Sequence, residues 1–147
     1  MTRVNLVPPG ELTDQHLFAE WRELKMVPRS LARSIAARGR QRVLDTIPPT
    51  FRLNEGHVCF FYDKGAYMRE RYAELVTELI LRGIHDFDRS APLDKLGIWQ
   101  QAGMVFNRHY EPTEEALALV RDRIAAKIAM KPHWYRLNGV PLEVHGL

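Results

Sequence analysis

Thr2, Arg3 and Glu23 are the residues of this 147-residue chain that could carry covalent chemistry without a cofactor. Thr2 follows Met1, and a residue as small as threonine permits removal of that methionine. The chain would then begin with a free α-amine beside Arg3. Such an amine titrates near ~7.7–8.0, so a good part of it is neutral and nucleophilic at cellular pH. A lysine amine titrates near ~10.4 and needs deep burial to match that. An amine nucleophile needs a group that moves protons and steadies cationic intermediates, and Glu23 is the candidate carboxylate. In a helix His16, Glu20 and Glu23 recur at i, i+4 and i+7 and fall on one face. On spacing alone, Glu23 reads better as a solvated partner of a neighbouring cation.

The charge distribution narrows the partner. The chain carries 21 basic and 18 acidic residues, a net charge of only +3. Residues 25–42 hold Lys25, Arg29, Arg33, Arg38, Arg40 and Arg42 with no acid, a local charge of +6. Residues 121–136 hold Arg121, Arg123, Lys127, Lys131 and Arg136 against Asp122, a local charge of +4. The remainder is therefore at −7. One such stretch is most simply a solvated helix face. Two in a small domain favour a basic face directed at nucleic acid, with binding that weakens as salt rises.

These groups must be positioned by helices. Leu17, Trp21 and Leu24 form an apolar stripe that predicts a first helix over about 12–24. A second begins after Pro28 and ends near Gly39. A long helix over about 63–81 buries Met68, Tyr72, Leu75, Val76 and Leu79, with Gly83 as its stop. Residues 84–111 read as irregular, with one short helix near Leu93–Trp99. The last helix starts at Thr113, an N-cap followed by Glu114 and Glu115 that suit the helix dipole. Leu117, Val120, Ile124 and Ile128 form its apolar stripe, and Pro132 ends it. Arg123, Lys127 and Lys131 lie on a separate stripe that can meet successive phosphates. Period-two alternation is rare. The fold class expected is mostly α: a single compact domain over 1–147 with about three main helices plus irregular loops.

Composition excludes several classes. Hydrophobic residues at 46% and charged residues at 27% argue against disorder. No apolar run approaches the ~20 residues of a membrane span, and Pro8, Pro9 and Glu11 interrupt any signal-peptide core. The single Cys59, in the run Val58–Phe61, excludes an internal disulfide and reads as a buried thiol in a reducing, intracellular protein. The six histidines show no ligand spacing, so neither a metal nor another cofactor is expected.

Five blocks then fall into register: Thr2–Leu6; Asp14–Leu17 with Ala19–Leu24; Pro49–Phe51 with Gly56–Val58 and Phe60–Lys64; Tyr110–Pro112; and Lys127–Ala129 with Pro132 and Trp134–Tyr135. In order and spacing they resemble the pyrimidine-dimer DNA glycosylases with AP-lyase activity. The resemblance spans nearly the whole chain except 84–108 and the tail after Asn138. It implies that the Thr2 amine attacks the sugar C1′ at a cyclobutane dimer and that the resulting imine drives β-elimination. It gives Glu23 the role of catalytic carboxylate, so that Glu23 should lie close to the Thr2 nitrogen. Arg3, Gln15, His16, Arg22, Arg123, Lys127 and Trp134 match positions that contact DNA. The implied partner is damaged double-stranded DNA bound by a monomer inside the cell, nucleoid-associated when acting, or inside a host cell for a viral protein. One departure stands out. Where the best-known pattern has an arginine three positions after the carboxylate, this chain has Met26, leaving Lys25 or Arg29 to supply that charge. The alternative reading is a non-catalytic basic helical DNA-binding protein of the same fold.

Overall fold

The computed structural model describes residues 3–142. It is mostly α, as the sequence predicts, and its helices are α1 (Asp14–Leu24), α2 (Met26–Arg38), α3 (Arg40–Asp45), α4 (His57–Phe60), α5 (Gly65–Leu81), α6 (Ile98–Ala102) and α7 (Glu114–Met130). A two-stranded antiparallel hairpin, β1 (Arg136–Leu137) and β2 (Val140–Pro141), follows. None of the helices among the described residues is long and apolar enough to cross a membrane.

Local chemistry sets the helix ends. The Thr13 side chain accepts from the His16 N–H at 3.1 Å, so α1 starts at Asp14 rather than Leu12. Thr113 does the same for α7 through the Ala116 N–H. Helix α2 begins two residues before Pro28, because a proline in the first turn forfeits no intrahelical bond. It follows α1 directly across Lys25, which keeps right-handed helical angles, and stops at Gly39, where φ is 83°. The hairpin was not expected, although Asn138-Gly139 carries the turn signal: both residues have positive φ, 53° and 78°.

The predicted stripes largely form the core. Leu17, Trp21 and Leu24 of α1 are buried against Met68, Tyr72, Leu75 and Leu79 of α5. Helix α7 is more peripheral: Val120 is fully buried, while Leu117, Ile124 and Ile128 are half-buried. The irregular stretch is organised around Trp99, which is completely buried. The Trp99 indole N–H donates to the Tyr62 carbonyl at 2.9 Å, and its ring packs so closely on Gly65 that a Cβ there would lie 2.8 Å from the ring. Asp94 caps α6 by accepting from the Ile98 and Trp99 N–H groups, each at 2.9 Å. That cap places the short helix at 98–102, later than the predicted 93–99. Cys59 is half-buried rather than buried, and burial pushes its thiol pKa up.

One charged pair lies inside this core. Arg71 shares the buried face of α5, and its Nε and Nη2 donate to the two Glu20 oxygens at 2.7 and 3.0 Å. Its Nη1 donates to the Val7 carbonyl at 2.6 Å. One guanidinium thus joins α5, α1 and the N-terminal segment. Arg71→Met should cost about 3–5 kcal/mol in urea unfolding, because it strands the Glu20 carboxylate in the core. Pairing it with Glu20→Leu should recover most of that loss. A single-variant loss below about 1 kcal/mol would contradict this account of the pair.

Candidate functional site

A cavity of about 260 Å³ opens where the N-terminal segment, α1 and α7 meet. Arg3 and Asn5 line it from the first, His16, Ala19, Glu20 and Glu23 from α1, and Arg123, Ile124 and Lys127 from α7. The predicted face of His16, Glu20 and Glu23 therefore does line one site. Five of the sequence-predicted site residues converge there: Arg3, His16, Glu23, Arg123 and Lys127. Thr2 lies outside the described residues.

Glu20 and Glu23 have different fates on the same face. Both oxygens of Glu20 are committed to Arg71. The Glu23 side chain makes no hydrogen bond among the described residues, and it is half-buried. Burial holds its carboxyl above the usual carboxylate range, with Arg22 and Arg3 pulling it down and Glu20 pushing it up. A carboxyl raised in this way holds a proton more readily than an ordinary carboxylate, which suits it to proton transfer.

The cations opposite are poorly satisfied. One Nη of Arg3 and one of Arg123 are buried and have no hydrogen-bond partner among the described residues. Arg123 donates through its other Nη to Asn5 Oδ1 at 3.3 Å. Burial, and then repulsion from Arg3, bring the Arg123 pKa down to about 10. Two guanidiniums facing one cavity with donors to spare favour an anionic ligand, which relieves both the repulsion and the unmet bonds.

The first turn of α1 docks the C-terminal tail. Asp14 accepts from the Asn138 and Gly139 N–H groups at 3.0 and 2.7 Å. The Gln15 amide donates to the Trp134 carbonyl at 2.6 Å and accepts from the Arg136 N–H at 3.0 Å. The His16 ring stacks on Tyr135, with centroids 4.8 Å apart and planes 6° from parallel, and its Nδ1 lies 2.7 Å from the Thr13 hydroxyl. Burial, with Arg123 and Lys127, lowers the His16 pKa to about 4. Gln15 is thus occupied with main chain. The two aromatics split: Tyr135 packs inward at 7% exposure, whereas Trp134 is 54% exposed. Trp134 and Arg22 line a second groove, with Phe18 and Ile84, beside the first cavity.

Lys25 and Arg29 do not join this cluster. Lys25 Nζ sits 3.6 Å above the Trp21 ring and donates to the Trp21 carbonyl. Both residues line a separate hollow with Asp88 and Leu93. The cations of the Glu23 cavity are Arg3, Arg123 and Lys127 instead. Sequence reasoning missed Asn5, which is buried and orients Arg123, and Arg71, whose position in the apolar stripe of α5 was the available signal.

Among the described residues no group of three His, Cys, Asp or Glu stands in metal-holding geometry. Residues 1–91 match the family described as pyrimidine dimer DNA glycosylase.

The histidine shifts set a pH window. His16 and His57 both have folded pKa values lowered from 6.5 to about 4, by burial first. The unfolded chain then takes up these protons before the folded one, so stability is full above about pH 6.5 and falls as pH drops toward 4. Thermal midpoints should fall through that window. The slope should shrink in His16→Gln, and an unchanged slope would contradict the neutral, buried state of that ring.

Proposed function

Because the chain belongs to the pyrimidine dimer DNA glycosylase family, we propose that it excises dimer bases through an amine at Thr2 and then cleaves the strand as an AP lyase. The supporting observation is the Glu23 cavity, where a half-buried carboxyl faces two guanidiniums with unmet donors. A carboxyl alone would not attract a phosphodiester, and cations alone would not move protons.

In this reading the neutral Thr2 amine attacks C1′ of the 5′ nucleotide of the dimer. The C1′–base bond breaks, and the base leaves with its electron pair and takes up a proton. Loss of the amine protons and opening of the C1′–ring oxygen bond give an imine between the Thr2 nitrogen and C1′. The imine draws electron density from C2′, whose proton is removed. The C3′–oxygen bond then breaks, the strand is cut on the 3′ side, and water hydrolyses the imine. Glu23 steadies the cationic sugar and imine and carries protons to the ring oxygen and from C2′.

Arg3, Arg123 and Lys127 grip phosphates at the lesion, and neutral His16 presents its ring beside them. Arg22 and Trp134 extend the contact along the adjoining groove, with Gln15 contributing by holding the Trp134 main chain. A dimer stacks poorly, which lowers the cost of kinking the duplex and of extruding a base.

Borohydride trapping on an abasic-site duplex, beside incision of a defined dimer duplex, tests this. The protein should form a covalent adduct and nick both substrates. Glu23→Gln should slow cleavage by about 100-fold or more with duplex affinity retained. A form that keeps Met1 should bind and cleave poorly. Binding without any adduct from the mature protein would point to the non-catalytic module, and full cleavage by Glu23→Gln would remove that residue from the mechanism.

A further inference from the structure

We propose that His57 is the positioning residue for the reactive N-terminus, acting as a hydrogen-bond acceptor that fixes the main chain at Val4. The inference rests on the amine mechanism proposed above and names the group that sets the amine's place.

His57 is 2% exposed and starts α4, far from Val4 in sequence. The Val4 N–H donates to its Nε2 at 2.9 Å. A main-chain N–H can only donate, so Nε2 carries no proton. The other nitrogen, Nδ1, lies 2.9 Å from the Arg52 carbonyl, which can only accept. The ring is therefore the neutral Nδ1–H form, with both nitrogens used and the tautomer dictated by its two partners. Phe51 and Phe61 hold it edge-on, with centroids 5.4 and 5.5 Å away.

The surrounding segment shows why such a clamp matters. Val4 is completely buried, and Leu6 adopts the left-handed region at φ 59°, a conformation that needs external support. That support comes from Arg71 on the Val7 carbonyl on one side of Leu6 and from His57 on the Val4 N–H on the other. Arg3 then projects into the Glu23 cavity. In the amine mechanism proposed above, the amine is tethered two residues before this anchor. Misplacement by about 1 Å is enough to cost about 100-fold in a proximity-driven step.

His57 lines neither cavity nor groove, and Arg3 beside Val4 is one of several proposed phosphate contacts, so loss of His57 should change the covalent step more than DNA affinity. The variants are His57→Phe, which keeps an aromatic ring between Phe51 and Phe61 but offers no acceptor, and His57→Gln, which restores an acceptor oxygen. Single-turnover borohydride trapping on an abasic-site duplex at saturating protein should be about 10- to 100-fold slower for His57→Phe, with a much smaller change in duplex Kd and partial rescue by His57→Gln. A saturating rate equal to wild type, or a loss accounted for by Kd alone, overturns the inference. Long-range ¹H–¹⁵N spectra of the wild-type protein provide a second readout that needs no variant: the Nδ1–H tautomer supports the clamp and the Nε2–H tautomer overturns it. Absence of any adduct from the wild-type protein would instead remove the amine mechanism, which separates that failure from this one.

Discussion

The bidentate Glu20–Arg71 pair is the interaction on which the rest of the molecule depends. Both groups lie in the core, where an unpaired charge is costly, so each makes the other obligatory. The pair fixes the rotation of α1 against α5. Its third bond, to the Val7 carbonyl, fixes the path of the N-terminal segment over both helices. The same pairing removes Glu20 from the cavity chemistry and leaves Glu23, one turn on, as the carboxyl with oxygens to offer.

The cavity built on that frame is electrostatically unfinished. Arg3 and Arg123 repel one another, and each buries a donor without a partner among the described residues. Such an arrangement lowers stability in the free protein, and an anion between the two side chains offsets it. In the proposed function, binding energy toward a phosphodiester is in this sense stored in the fold. Met26 keeps one cation fewer near the carboxyl, and neither Lys25 nor Arg29 replaces it, since Lys25 is held by the Trp21 ring and carbonyl. The proposed grip on DNA rests on α7 and the N-terminal segment.

Much of the local structure was legible in the sequence. Thr113 as a cap, Gly39 as a stop, and the apolar stripes of α1 and α5 depend on neighbours within a turn or two, which spacing encodes. The face shared by His16, Glu20 and Glu23 was legible for the same reason. Two local signals were missed: Asp94 caps α6 from four and five residues away, and Asn138-Gly139 is a turn pair whose N–H groups Asp14, far away in sequence, then holds. Gln15 matched a DNA-contacting position, yet its amide is engaged by the tail's main chain.

The sequence by itself determined the helical class, the family and the identity of the candidate nucleophile and carboxylate, because these are written in residue type, period and order. Tertiary structure alone decided which of two carboxylates is spent on the core, which cations share a cavity, and which aromatic of Trp134 and Tyr135 faces solvent. It also decided that a buried histidine holds the main chain two residues from the candidate amine. Each of these depends on partners brought together across 50 or more positions of chain. No local pattern carries that information, since a side chain's role is set by what burial leaves it to pair with.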